Sequence, residues 1–417
     1  MKKVIFTLMM FVGTASLFAQ DFGISAEIRP RYENKHGYKT LLATNADGAN
    51  FISQRTRLNF DFKNESITMK LSLQNVRVWG DVSTLSAADN ANALHEAWAE
   101  AKLNEKLSLK LGRQEIVYDD HRIFGSVGWA QQARSHDAFI FKYKANAKNR
   151  LDVGFAINAD SQAGADLLYT NAAGYKNFQY AWYHGKFDHV GLSVLVLNTG
   201  IEYLNTSLEQ TLSSRQTIGS RLTYKKDKLD ANAAVYMQSG KVATSKVNAL
   251  YYTANLGYKL NGNFKLGLGL EYLSGKDQND TSSDVKTFAP LFGTNHKFNG
   301  WMDYFYVGYG NPTGLTDINA TIAYKKNKFS AKLIPHFFSS TADIYNGSTK
   351  MNAKLGTELD FTMGYKIAKD IKFNVGYSKM LATDTMQQIK GGDKNENSSW
   401  AWVMFTFKPK LFSTVKK

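Results

Sequence analysis

From residue 20 onward one pattern recurs: short stretches in which apolar and polar side chains alternate, joined by connections of two lengths that themselves alternate strictly. Alternation with a period of two puts successive side chains on opposite faces of a strand. The short connections fall near Lys63–Ser66, Leu103–Lys106, Lys144–Arg150, Gly185–His189, Lys225–Lys228, Leu260–Asn263, Lys325–Lys328 and Lys366–Asp370. The long ones fall near residues 34–50, 80–93, 115–135, 159–176, 198–214, 239–248, 274–315, 339–353 and 381–398. Eight turns and nine loops in strict alternation require about 18 antiparallel strands running up and down, with both ends on the short-turn side. The segment Phe298–Tyr309 is assigned to the seventh loop, because a nineteenth strand would break this parity.

The two faces identify the surroundings. Phe264, Leu266, Leu268, Leu270 and Tyr272 alternate with Lys265, Gly267, Gly269 and Glu271; Ile371, Phe373, Val375 and Tyr377 alternate with Lys372, Asn374, Gly376 and Ser378. A soluble β-sandwich also alternates, but its polar face is not crowded with Arg, Lys, Asp and Glu along the whole chain. The reading is an all-β protein, a transmembrane antiparallel β-barrel of about 18 strands with short periplasmic turns and long extracellular loops, in the bacterial outer membrane. One irregularity is expected near Asn75, where Val76 and Val78 take over the apolar phase and place Arg77 on the polar one, as a bulge would.

Composition excludes other classes. Residues 1–19 pair two lysines with a short apolar run and small residues before Ala19, which reads as a secretory signal peptide, leaving 20–417 as one barrel domain. The absence of cysteine removes disulfide frameworks and thiolate metal sites. Mean hydropathy of −0.35, with no later run of about 20 apolar residues, excludes a bundle of membrane helices. Aromatics at 13% and 32 glycines suit strands that face lipid on one side and water on the other. A formal charge of +15 points to anions; a secreted chain makes nucleic acid an improbable partner.

The stretch Leu111–Asp137 breaks the strand pattern while remaining aromatic and charged, so its loop, residues 115–134, is read as folded into the lumen, with Asp119, Asp120 and Trp129 at a constriction. Eight of eleven arginines (Arg29, Arg31, Arg55, Arg57, Arg77, Arg113, Arg122 and Arg134) precede residue 135, and alternation puts them on or beside one lumen wall. Guanidinium forks match carboxylates, and rings of Arg or Lys select anions. The competing expectation is cross-strand pairing with acids such as Glu27, Asp61, Glu96 and Glu100. Tyr118, Trp129 and Trp301 offer faces for sugar rings but fit loop packing better. Lysine-rich turns such as KKDK and KKNK fit lipid phosphates or solubility better than transport. The eight histidines show no ligand spacing, and no nucleophile signature occurs, so no metal, no cofactor and no enzyme activity are expected.

The runs SQRTRLNFDF (Ser53–Phe62), QNVRVWGD (Gln74–Asp81), HEAWAE (His95–Glu100) and LGRQEIVYDDHRIFGSVGWAQQARSHDAF (Leu111–Phe139) resemble the alginate export family of outer-membrane proteins. LFGTNHKFNGWMDYF (Leu291–Phe305) is similar to that family's long extracellular loop. The resemblance implies an 18-stranded barrel whose lumen, lined by arginine and acidic residues, conducts an anionic polysaccharide. Carried onto this chain, that pathway falls on Arg55, Arg57, Arg77, Arg113, Arg122 and Arg134, with Arg29 and Arg31 added by alternation. The second half departs from it with only Arg150, Arg215 and Arg221, and the tail KPKLFSTVKK follows the aromatic Phe407 that would close a barrel. The reading is a passive channel for anionic solutes, plausibly uronic-acid oligosaccharides, monomeric among outer-membrane lipid and lipopolysaccharide, with room for a periplasmic partner. The alternatives are a general porin without sugar specificity and a non-conducting surface-binding barrel.

Overall fold

The computed structural model describes residues 20–86, 91–160, 162, 169, 174–306 and 312–415. The expected signal peptide, residues 1–19, lies outside them. Eighteen barrel strands follow in order: β1 Asp21–His36, β2 Ala49–Lys63, β3 Ile67–Val78, β4 Asn92–Lys102, β5 Leu107–Gln114, β6 His136–Lys144, β7 Asn149–Ile157, β8 Asn177–Phe187, β9 Val190–Leu204, β10 Gln210–Lys226, β11 Leu229–Val242, β12 Ala249–Lys259, β13 Phe264–Leu273, β14 Leu315–Lys326, β15 Phe329–Ser339, β16 Lys354–Ala368, β17 Ile371–Ala382 and β18 Ser399–Phe407. Each pairs antiparallel with the next, and β1 pairs with β18 through contacts such as Tyr32↔Val403, which closes the cylinder and leaves no edge. Residues 298–306 form no strand, in line with the parity argument; residues 307–309 of that segment lie outside the described residues.

Burial is inverted relative to a soluble protein. Phe139, Val153, Leu268 and Ile318 are 52%, 45%, 65% and 53% exposed on the outer face, whereas Glu27, Arg31, Glu271 and Asp360 are buried inside. Apolar side chains outside and charged ones inside are stable only when lipid replaces water around the cylinder.

Two local expectations are corrected, and the C-terminal tail finds its place. The phase slip near Asn75 is absent: β2 and β3 stay in unbroken register, with Arg55 opposite Val76 and Gln54 opposite Arg77. The extra residue is His95 in β4, where the pairing steps from Ser72↔Glu96 to Leu73↔Leu94. The fifth and sixth loops are short, because β9 and β10 pair as far as Leu204↔Gln210 and β11 runs to Val242. The C-terminal tail is not a loose end. Past Pro409, whose carbonyl accepts from Ala26 N, Lys410–Ser413 resumes pairing with β1, and Phe412 packs 6.1 Å from Phe22.

A repeat closes the periplasmic end. Each even-numbered strand arrives there on the residue pairs Phe62-Lys63, Ala101-Lys102, Tyr143-Lys144, Gly185-Lys186, Tyr224-Lys225, Tyr258-Lys259, Tyr324-Lys325, Tyr365-Lys366 and Phe407-Lys408. From Lys102 onward the lysine N–H donates to a carbonyl of the preceding turn, at 2.7–3.0 Å in all eight cases, so the positions are structurally equivalent. The aromatic residues take the lipid-facing phase as an interfacial girdle, and every lysine takes the lumen phase.

Candidate functional site in the lumen

Residues 115–135 cross the lumen between two unlike walls. On the β8–β9 side the contact is mainly apolar: the Tyr118 ring stacks on Trp182 at 4.4 Å, and Phe124 packs on Phe178 and Tyr180 at 5.7 and 4.9 Å. Tyr118 Oη donates to Asp152 at 2.8 Å. Asp119 accepts from Trp182 Nε1 at 3.1 Å and Ser193 Oγ at 2.5 Å, and Asp120 binds Arg221 at 2.5 Å. Asp119, His121, Val127 and Ala133 have φ of 52°, 74°, 51° and 57°. Four non-glycine residues in the left-handed region oppose local preference, so tertiary contacts hold this shape.

On the β1–β2 side the loop offers backbone carbonyls, the Trp129 ring and the Gln131 amide, which also donates to Ser53 Oγ at 3.0 Å. Arg29 donates to Gly128 O at 2.8 Å and Trp129 O at 3.0 Å, and to the Gln131 side chain. Arg31 donates to Trp129 O at 2.8 Å and lies 4.1 Å over the Trp129 ring, while Glu33 takes its Nε at 2.9 Å. Arg55 pairs with Glu27 and reaches Gln131 O at 3.4 Å. Asp119, Asp120 and Trp129 thus serve as anchors of the loop at its two ends.

A second insertion completes the plug. In the 274–314 loop, Phe292 N donates to Ile123 O at 3.1 Å and Phe292 O accepts from Gly125 N at 2.8 Å; Thr294 N donates to His121 O at 2.9 Å. A side chain on Gly125 would put its Cβ 2.3 Å from Thr294 Oγ1, so glycine is required for this approach. The same loop lies on an acidic wall: Trp301 N donates to Asp360 at 3.0 Å, Met302 N to Glu358 at 2.8 Å, and Asn299 to Glu271. His336 Nδ1 bonds Asp317 at 2.9 Å beside them. Tyr38 of the first loop donates to Asp303, and burial together with that carboxylate holds its hydroxyl pKa well above the usual value.

Of the eight arginines expected on one wall, Arg29, Arg31, Arg55 and Arg57 share the lumen phase of β1 and β2. Arg122 is buried across the lumen, 3.1 Å from Glu271 and 2.9 Å from Asn299, and Arg134 donates to Gly293 O at 3.0 Å between the loops. Arg77 and Arg113 are corrections. Both take the outward phase, above the apolar band: Arg77 beside Asp81 at 3.6 Å, and Arg113 on Asp137 at 2.9 Å. The unbroken register at Asn75 and the phase shared by Leu111 and Arg113 dictate this. Trp301 is partly buried with Lys332 4.7 Å from its ring, and Tyr118 is buried as packing.

The acidic wall and the insertion of the second loop went unread in the sequence; the Asn-Gly of FNGWMD and the lumen-phase spacing of Asp317, Glu358 and Asp360 were the available signals. His95, Glu96 and Glu115 present ligand atoms within 4.8 Å of one another. His95 bonds Glu115 at 2.7 Å, and Glu96 bonds Trp98 at 3.0 Å and pairs with Lys70. Below the plug the wall from β3 to β7 carries ion pairs, Lys142 with Glu100 at 2.5 Å and Arg150 with Asp152 at 2.6 Å, beside Lys110, which lies 3.8 Å over Trp98.

Comparison with known proteins agrees with this architecture. The structure resembles Pseudomonas aeruginosa OccK1 (OpdK) at a TM-score of 0.61 and 11% identity, covering 93% of this chain and 98% of that one. It resembles P. aeruginosa OccD3 (OpdP) at 0.60 and 13%, covering 94% and 92%, and a structure of P. aeruginosa OpdK with vanillate at 0.60 and 12%, covering 94% and 98%. A stretch of 107 residues is 32% identical to the mouse (Mus musculus) RNA/RNP complex-1-interacting phosphatase. It spans 24% of this chain and a third of that protein's length, too little to carry fold or activity. The family profile described as alginate export matches residues 18–401, nearly the whole chain. A closed 18-stranded barrel with an inverted surface, matched by that profile over almost its full length, makes this chain a member of the alginate export family in the bacterial outer membrane.

Proposed function

We propose that the protein is a passive channel for anionic solutes, with uronic-acid oligosaccharides as the favoured class. The family and the channel-like barrel support an outer-membrane pore; the selectivity rests on one residue above all. Arg57 donates its Nε to Gln74 at 2.8 Å, yet its buried Nη2 has no hydrogen-bond partner among the described residues. Arg57 as a whole is only partly buried, and a lumen-phase guanidinium with a spare donor beside the loop is a place where a passing carboxylate, reaching it with a small side-chain shift, gains a charge-assisted hydrogen bond. Arg29, Arg31, Arg55, Arg122 and Arg134 supply the surrounding positive field while holding the loops. OpdK, of similar fold, has been solved with vanillate, itself a carboxylate.

A second reading, a general porin without sugar specificity, is favoured by the same contacts, since Arg29 and Arg31 already spend donors on loop carbonyls. Single-channel current under a salt gradient separates the two. Anion-selective current blocked by uronate oligomers, with selectivity lowered in Arg57→Glu, supports the sugar-acid channel. Anion current without block leaves the general porin, and unchanged selectivity in Arg57→Glu removes that residue from the path.

A further inference from the structure

We infer that the nine lysines ending the even-numbered strands form one binding ring at the periplasmic mouth, whose ligand is a flexible polyanion carrying a carboxylate or phosphate on each repeat unit. All nine equivalent positions hold lysine, although only 40 of the 417 residues are lysine. General solubility does not require a single residue type at a single register position, in one phase, nine times. The phase is the inward one: Lys63 follows Arg55 and Arg57 on β2, Lys144 follows Lys142 on β6, and Lys408 lies 3.9 Å from the lumen-phase Glu27. Lipid phosphates are approached from the outward phase, which the aromatic partner of the pair occupies in seven of the nine cases.

Among the described residues the opposite mouth repeats no one residue type at its strand ends, and its lumen-phase Lys35 is paired with Glu33 at 3.2 Å. Lumen-phase residues near the extracellular strand ends include Glu33, Ser53, Gln114, Thr199, Gln238 and Leu273. Alternate strands stand about 10 Å apart, beyond the screening length of about 8 Å at physiological salt, so each ammonium overlaps only weakly with its neighbours and a ligand must touch several to gain. A small anion meets one exposed lysine in high dielectric and gains little. A chain of charges engages several at once, and its affinity rises with length. Between the first two turns and the end of β6 lies a cavity of about 210 Å³ lined by Lys63, Lys102, Lys106, Lys142 and Lys144 with Glu65, Glu100 and Glu105, where Lys102 is paired with Glu105 at 3.0 Å. The ring would load the channel from the periplasmic side; that role rests on the channel reading, whereas the binding does not.

Labelled linear polyphosphate, titrated by fluorescence anisotropy onto the full-length barrel in detergent, tests the ring, with tripolyphosphate as the short reference. Wild type should bind the long chain about tenfold tighter or more, and less so as salt rises. The combined variant Lys144→Gln, Lys225→Gln, Lys259→Gln, Lys325→Gln and Lys366→Gln, at exposed positions, should lose that advantage; equal affinity in the variant overturns the ring. So does a variant impaired only in binding phosphatidylglycerol vesicles, which would assign the lysines to lipid. In bilayers, with orientation fixed by labelling Asn346→Cys, polyphosphate should block from the periplasmic side and the variant should relieve the block. Equal block from both sides overturns the loading role. Length-dependent binding lost in the variant, with no current in either protein, keeps the ring and sinks the channel reading.

Discussion

The two inserted loops are fastened by opposite chemistry. The tip Gly128–Gln131 presents carbonyls, and the wall answers with Arg29, Arg31 and Arg55; residues 301 and 302 present N–H groups, and the wall answers with Asp360 and Glu358. Neither anchor is a simple ion pair. On the arginine side, each guanidinium is balanced by a nearby acid or by several carbonyls, and Glu27 depends on Arg55. On the acidic side, Glu358 and Asp360 occupy successive lumen-phase positions of β16, and each accepts a backbone N–H of the second loop. The comparison shows that charge is necessary on one wall and incidental on the other: carbonyls beside a buried carboxylate need a cation, whereas an N–H needs only an acceptor.

The largest test of that asymmetry is Arg55→Leu. It strands buried Glu27 and should cost about 3–5 kcal/mol, read from urea unfolding in lipid vesicles. A cost under about 1 kcal/mol would mean that Glu27 finds another partner and the arginine wall is not needed for balance. Leu268→Arg on the lipid-facing phase should cost about 2–4 kcal/mol and calibrates the scale, because it touches neither anchor. Gly300→Ala comes next. Gly300 has φ of 81°, and its added Cβ would stand 2.6 Å from the Glu358 carboxyl, so a loss of about 1–3 kcal/mol is expected, with faster proteolysis of the 274–314 loop. Intact protection would show that the acidic wall yields. The smallest effect belongs to Glu358→Gln, which keeps an oxygen for Met302 N and should change stability by about 1 kcal/mol or less. A loss comparable to that of Arg55→Leu would end the distinction between the walls.

Strand number, the phase of most strands and the positions of the short turns were legible because each depends on local alternation and on turn residues. The lipid face was legible for the same reason, as Phe264 and Leu268 illustrate. The arginine clustering was visible too, but the placement of Arg77 and Arg113 was not. The side of Arg77 turns on whether an extra residue enters near Asn75, and it enters at His95 instead; the side of Arg113 follows from the phase it shares with Leu111. The lysine ring was also within reach, since an aromatic-lysine pair precedes most short turns; its meaning needed the register that shows all nine positions to be equivalent.

Sequence by itself determined a closed antiparallel cylinder, because a period of two with two alternating connection lengths admits few other solutions. Only the tertiary structure decided how the lumen is filled. The loop shape requires left-handed backbone at Asp119, His121, Val127 and Ala133, and its partners reach as far as Arg29, 102 residues before Gln131, and Thr294, 167 residues after Val127. Such contacts have no local signature: a guanidinium reaching a carbonyl across the lumen leaves no periodicity in the chain that carries either group.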